Sequence, residues 1–355
     1  MSRHIKKIKD IIFFNKKVTN NIVTELELKK DREYLAIYNP ENIGIMNSTI
    51  DLFGKENSLA LGEILNKKQE KILLNKFKDL KVKQIIFSSI TFGIKSLIER
   101  IHIIRPDIKL SFFWHGAHPM LIQQDEPYFF YMVLDLLNSN VVDKIAFAKE
   151  SMAIFYKEKG YNSYFLPNTI KSNIIDEMNI NNAFNRKNDN TYIGIYSAGE
   201  RWEKNTFNQL SAASMIKKSV IDILPITKLV KSFCKLMKIT LNDEKIKYMS
   251  REKLLARMKC NDVNLYVTFT ECSPMLPLES LEVGVPCITG NNHHYFKNTK
   301  LFDYLVVNSE DNIDEIVDKI NLCLNNKDDI INLYKKWKVE YDLFVKDKFK
   351  EFIDI

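Results

Sequence analysis

The sequence predicts an α/β protein of two doubly wound domains that face each other across a cleft. Three observations predict it. The 355 residues exceed the usual span of one hydrophobic core and suit two domains of roughly 150 residues each. From about residue 33 onward, short apolar runs rich in β-branched and aromatic residues alternate with helical patterns, as in parallel sheets covered on both faces. Residues 173–190 are rich in Asn, Asp and Lys with little periodicity, and they divide the chain into two similar halves.

The elements follow in order. Residues 1–30 begin with Arg3, Lys6, Lys7, Lys9, Lys16 and Lys17 against Asp10, and Ile5, Ile8, Ile12 and Phe13 recur at helical spacing. This reads as a basic amphipathic helix that either lies on anionic lipid or packs on its own domain. It lacks the apolar run of a signal peptide, and no run in the chain has the length of a membrane span. The first domain, 31–172, has strands expected at Tyr34–Tyr38, Gln84–Ser88, Lys109–Trp114, Lys144–Phe147 and Ser163–Leu166. Helical stretches such as Gly93–Ile104 and Tyr128–Leu137 separate them, and another begins near Ser48. After the linker 173–190, the second domain, 191–330, repeats the plan. Its strands are expected near Tyr192–Tyr196, Val220–Leu224, Val263–Thr268, Cys287–Thr289 and Leu305–Val307. From Asp311 no Gly or Pro interrupts the helical pattern, and residues 331–355 form a closing helix expected to pack back on the first domain.

Composition narrows the function classes. Lys and Arg number 52 against 45 acidic residues, a net charge of +7, which suits an anionic substrate or a solvated Lys-rich surface and does not call for nucleic acid. Cys234, Cys260, Cys272, Cys287 and Cys323 are odd in number, lack CxxC spacing and sit mostly in apolar runs, so they read as buried free thiols of a reducing cytoplasm. No Cys/His group has metal-ligand spacing, and no structural metal is expected. Neither GxGxxG nor GxxxxGK[ST] occurs at a strand-to-helix turn, which removes nicotinamide and P-loop chemistry.

Open α/β sheets bind ligands beyond the carboxyl ends of their strands, so the loops there are where chemistry is sought. After the strand near Val263–Thr268 comes Glu271-Cys272-Ser273-Pro274-Met275-Leu276-Pro277-Leu278-Glu279, then Ser280-Leu281-Glu282-Val283-Gly284-Val285-Pro286. Pro277 suits the first turn of a helix beginning near Leu276, Gly284 ends that helix, and Pro286 prevents its continuation. Backbone N–H groups around Ser273–Leu278, with the positive end of the helix dipole, form an anion site flanked by two carboxylates. The plainer reading is a capping carboxylate on a buried helix. After the strand Tyr192–Tyr196, Arg201 and Lys204 lie on a glycine-bearing loop before a helix, where a phosphate needs cations or where surface cations sit. In the first half, Trp114-His115-Gly116-Ala117-His118-Pro119 forms a tight loop after an apolar strand. His115, or alternatively His118, can donate a hydrogen bond to a hydroxyl there.

The run from Glu271 to Glu279, with Gly284-Val285-Pro286 after it, resembles the Glu-x7-Glu signature of retaining GT-B glycosyltransferases, especially family 4. The resemblance implies that Glu271 contacts hydroxyls of the donor sugar and Glu279 the ribose of the nucleotide. It implies that Ser273, Pro274, Met275 and Leu276 face the sugar and diphosphate. It assigns Arg201 and Lys204 to the diphosphate, although they are three apart here where the family often has five. Tyr248 and Met249 become contacts of the base, His115 a group at the reaction centre, and Gly44 the remnant of a glycine-rich loop after the first strand. Leu166-Pro167-Asn168 is similar to the Pro-Asn that often ends the first domain. The implied donor is a UDP-sugar first and a GDP-sugar second. No Asp-x-Asp motif is present, so a metal-clamped diphosphate is not expected. The implied activity is metal-independent transfer of a hexose to a glycan or lipid-linked acceptor in cell-surface polysaccharide synthesis, in the cytoplasm or at the inner membrane face. The alternatives are a catalytically degenerate GT-B glycan-binding or scaffold protein, or a transferase acting on protein or DNA.

Overall fold

The computed structural model describes residues 20–63, 66–123, 125–171, 183–187, 189–197, 201–242 and 249–353. The chain forms two compact units that divide at Pro167/Asn168, slightly ahead of the expected linker. Most of that linker, and the basic segment 1–19, lie outside the described residues. The final stretch from Asp347 belongs to the first unit, the rest of the chain after Asn168 to the second.

The first unit carries a parallel sheet of β1 (Tyr34–Tyr38), β2 (Ser58–Ala60), β3 (Gln84–Phe87), β4 (Lys109–Trp114), β5 (Lys144–Phe147) and β6 (Ser163–Phe165), in the order β2-β1-β3-β4-β5-β6. Its central strands are buried on both faces, which is why they read as continuous apolar runs and not as alternating ones. One apolar cluster from Leu26 to Tyr156 covers one face of the sheet, with Phe77, Ile85, Phe87, Leu97, Leu110 and Ile145 fully buried, and Phe53, Ile86 and Phe113 are buried outside it. Helices 67–78 and 92–104 each begin at a side-chain cap, Asn66 and Thr91. Phe349, near the end of the last helix, packs its ring on Tyr34 and Phe53.

The second unit carries β7 (Thr191–Tyr196), β8 (Ser219–Leu224), β9 (Val263–Tyr266), β10 (Cys287–Gly290) and β11 (Val306–Val307), all parallel, in the order β11-β10-β9-β7-β8. Polar side chains enter its interior. Asp222 on β8 is fully buried, forms an ion pair with Arg257 and accepts from the Tyr196 hydroxyl. Asn261 donates to that same hydroxyl and to Asn264. Gly194 on β7 lies opposite both Asp222 and Asn264, and a Cβ there would come within 2.0 Å of the Asn264 Oδ1.

The sequence reading left out one strand, and two of its expectations are corrected. The strand β2 has only three residues and no readable pattern. The helix expected near Ser48 begins at Ile43, because the Asn42 side chain caps it by accepting from Ile45 N. The closing helical run breaks at Asn326 into helices Ile313–Asn325 and Lys327–Phe352. All five cysteines are buried free thiols. Among the described residues, no helix is long and apolar enough to cross a membrane.

Candidate functional site

The order of the second sheet selects two loops. The chain moves outward from β7 to β8, then returns to place β9 on the other side of β7. The carboxyl ends of β7 and β9 therefore flank the switch point, where open α/β sheets bind their ligands. The loops there are those carrying Arg201 and Lys204, and Glu271.

The first loop enters a 3-10 turn, Trp202–Lys204, and leaves it through Asn205 in the left-handed conformation (φ 51°), from which helix Thr206–Ser214 starts. Asn tolerates that conformation better than most residues. Gln209 fixes the loop: its amide donates to the Lys204 carbonyl at 2.8 Å, and its carbonyl accepts from Val267 N at 3.0 Å. Phe269 N donates to the Glu203 carbonyl at 2.8 Å, tying the two loops together. The half-exposed rings of Trp202 and Phe269 stack on each other, 6.2 Å apart.

Inside that frame lies a closed polar triangle. Lys204 Nζ donates to Glu271 Oε1 at 2.5 Å and to the Tyr266 hydroxyl at 3.1 Å, and that hydroxyl donates to Glu271 Oε1 at 2.7 Å. The Lys204 and Glu271 side chains are only 5% and 10% exposed, so both charges have left water. Burial, and then the Glu271 carboxylate, push the Tyr266 phenol well above its ordinary range, which keeps it a donor. Arg201 is more open and forms an ion pair with the buried Glu203 carboxylate at 2.9 Å.

The turn after Glu271 is held from three sides. Asn168 N donates to Ser273 Oγ at 2.9 Å, the Asn168 amide donates to the Ser273 carbonyl at 2.6 Å, and the Tyr295 hydroxyl lies 2.8 Å from the Ser273 Oγ. Helix Met275–Glu282 then begins at Pro274 with no side-chain cap. Of the first N–H groups such a helix leaves open, Pro274 and Pro277 have none, so Met275 and Leu276, both half-buried, supply the donors. The helix ends as expected at Gly284 (φ 81°), with Val285 N returning to the Ser280 carbonyl. Glu279, in its second turn, accepts from Arg251 Nε at 2.7 Å. Arg251 opens helix Arg251–Lys259, which Ser250 caps, and Met249 sits half-buried just before the cap. Tyr248 lies outside the described residues.

His115 and Gly44 belong to the first unit. The His115 ring packs on Phe113 at 4.1 Å, its Nε2 has no contact with solvent, and burial pulls its pKa down to about 3, so the ring is neutral. His118 is more open, lies 3.2 Å from the Tyr156 hydroxyl, and is also shifted down by burial. Gly44 is not in a loop but exposed in the first turn of helix Ile43–Phe53. In this sheet the switch point lies between β1 and β3, where Asn39 N donates to Ser89 Oγ at 3.0 Å, and His115 follows the next strand over.

The structure thus joins Lys204 to Glu271 and sets Arg201, Ser273, Pro274, Met275, Leu276 and Glu279 around the same strand ends. Sequence reasoning missed Tyr266, Gln209, Asn168 and Arg251, each of which has a partner at least 28 residues away in the chain. The assembly offers two backbone donors at a helix start, a cation on each side of Glu203, and two carboxylates able to accept from hydroxyls. That is the chemistry of a phosphate with polyol on either side.

No known protein-family profile and no curated protein matches the chain. Solved structures do. HepE of Anabaena, in complex with UDP, is similar with a TM-score of 0.60 at 9% identity, over 89% of this chain and 95% of that one. Sucrose-phosphate synthase of Thermosynechococcus elongatus gives 0.56 at 12% identity, over 90% and 95%. The lipopolysaccharide outer core galactosyltransferase WaaB gives 0.53 at 11% identity, over 89% and 98%. The chain has the GT-B fold. In a GT-B chain each unit is one Rossmann-like domain, and the strand ends of the second unit hold every charged residue of the triangle described above.

Proposed function

We propose that this GT-B chain is a retaining glycosyltransferase, similar to family 4, that moves a hexose from a nucleotide sugar, a UDP-sugar in first place, to a glycan or lipid-linked acceptor. The observation that carries the reading is the meeting, at one topological switch point, of the buried Lys204–Glu271 pair with the uncapped helix start at Met275 and Leu276. The HepE structures with UDP, and with UDP and glucose, support the choice of donor.

In this reading the diphosphate lies on the N–H groups of Met275 and Leu276, with Arg201 and Lys204 supplying positive charge. Lys204 has three N–H donors and can keep Glu271 while serving phosphate. Glu271 accepts from hydroxyls of the transferred sugar, and Glu279 from the ribose. As the bond from the anomeric carbon to phosphate breaks, charge grows on the leaving diphosphate, and preorganised donors stabilise it. The acceptor hydroxyl attacks on the same face and its proton goes to the leaving phosphate oxygen, so Glu271 positions and forms no covalent bond. His115, neutral, is the proposed group of the first unit at the reaction centre, and Met249, Tyr248 and Gly44 remain proposed donor contacts.

A non-catalytic glycan-binding protein is the second reading, favoured by the absence of a glycine-rich loop, since Gly44 sits in a helix. Hydrolysis of a panel of UDP- and GDP-sugars separates the two. Release of nucleotide from one of them, lost in Glu271→Ala and reduced in Arg201→Ala, is expected; no release, with no thermal shift by any nucleotide, contradicts the enzyme reading. The proposed place of transfer, the cytoplasm or the inner membrane face, draws its membrane part from the basic residues 1–17. Equal flotation with anionic vesicles of the full chain and of a chain starting near Asp31 would remove it.

A further inference from the structure

Helix Arg251–Lys259 opens with a residue that its own electrostatics disfavour, since a helix N-terminus carries partial positive charge and a cation there is repelled. The cap does not need it: Ser250 Oγ accepts from Lys253 N, and Glu252 supplies the favoured charge in the first turn. Arg251 is nevertheless folded in, with its side chain 12% exposed, and its Nε donates to Glu279 Oε1 at 2.7 Å. Glu279 is buried as deeply, at 7%. On its helix Glu279 stands four residues after Met275 and three after Leu276, so its carboxylate shares a face with the two uncapped N–H donors. Removing two charges from water costs more than an ordinary helix contact returns. The pairing makes sense where the carboxylate has to be held in one orientation.

We propose that Arg251 is the positioning residue for Glu279, holding its carboxylate so that it accepts from the vicinal hydroxyls of the donor ribose. The inference rests on the donor-site reading given above. A carboxylate has about four lone-pair directions, so an oxygen that accepts from Arg251 can accept from a hydroxyl as well. A guanidinium holds such an acceptor in a plane, whereas a lysine would leave it free to rotate.

The test is the ratio of affinities for UDP and 2′-deoxy-UDP, and for GDP and 2′-deoxy-GDP, measured by titration calorimetry on the whole protein. The wild type is expected to favour the ribonucleotide by about tenfold or more, the worth of a hydrogen bond to a charged group. In Arg251→Met that preference is expected to shrink to about twofold, with Arg251→Lys in between, while the deoxynucleotide binds all three proteins with similar affinity. A helix-to-helix strut alone would change the melting temperature and leave the ratio untouched. An unchanged ratio in both variants overturns the inference while leaving the donor site standing. Failure of the wild type to bind either ribonucleotide overturns the donor reading, and this inference with it. If Arg251→Met does not fold, Arg251→Lys alone decides: a ratio equal to that of the wild type contradicts the proposal.

Discussion

The strand ends of the first sheet are finished with neutral, ring-packed groups, whereas those of the second hold charges taken out of water. In the first unit His115 lies against Phe113 and burial keeps it uncharged, and an apolar cluster covers one face of the sheet. In the second, Lys204 pairs with Glu271 and Arg251 with Glu279 at the edge, and Arg257 pairs with Asp222 deeper in. Buried pairs are often no more stabilising than well-packed apolar residues, so their concentration in one unit marks a place where stability has been exchanged for something else. At the edge, the proposed function makes that something the binding of a nucleotide sugar. Asp222 lies away from that edge, enclosed by Tyr196, Asn242 and Arg257.

The largest effect should come from breaking the edge pair. Lys204→Met leaves Glu271 buried without its cation and is expected to cost about 3–5 kcal/mol, read from denaturant unfolding. Adding Glu271→Leu should restore most of that stability, yet sugar transfer should stay down by about 100-fold or more, because the charges serve the reaction and not the fold. Asp222→Asn should cost about 3 kcal/mol while turnover per folded molecule stays as in the wild type, which would separate the deep pair from the edge pair. If Asp222→Asn abolished turnover in folded protein, the division between the two networks would fail.

The first unit answers to pH in a way that follows from His115. Its folded pKa of about 3 lies below the unfolded value of about 6.5, so below that value the unfolded chain takes up a proton that the native chain refuses. Stability is present above pH ~6.5 and should fall by roughly 1.4 kcal/mol per pH unit as pH drops further. His115→Asn should flatten that slope by one proton. The smallest effect is expected at Gly284, where φ is 81° and Gly284→Ala should cost about 1 kcal/mol of stability without changing donor affinity in calorimetry.

How far the sequence exposes these features depends on how local their causes are. The strand β1 is readable residue by residue because an apolar run stands between polar flanks, and the helix after Glu271 because two prolines and a glycine punctuate it. The strand β2 is too short to show a period, and the start at Ile43 is hidden because Pro40 and Gly44 make a capped helix look like a turn. The break at Asn326 carries neither Gly nor Pro. At the site, Glu271, Arg201 and Lys204 are legible from their places after strands. Their pairing is not: Lys204 and Glu271 are 67 residues apart, Arg251 and Glu279 are 28 apart, and Asn168 and Ser273 are 105 apart. Only the order β9-β7-β8 brings the first pair to one switch point, and strand order leaves no mark on local pattern.

Amide hydrogen exchange with and without UDP tests the central claim most directly, because it reports where a donor nucleotide binds. Protection is expected in the segments Arg201–Asn205 and Glu271–Glu279, around the Lys204–Glu271 pair. Protection confined to the first unit, or bound UDP with no change in those two segments, would contradict it.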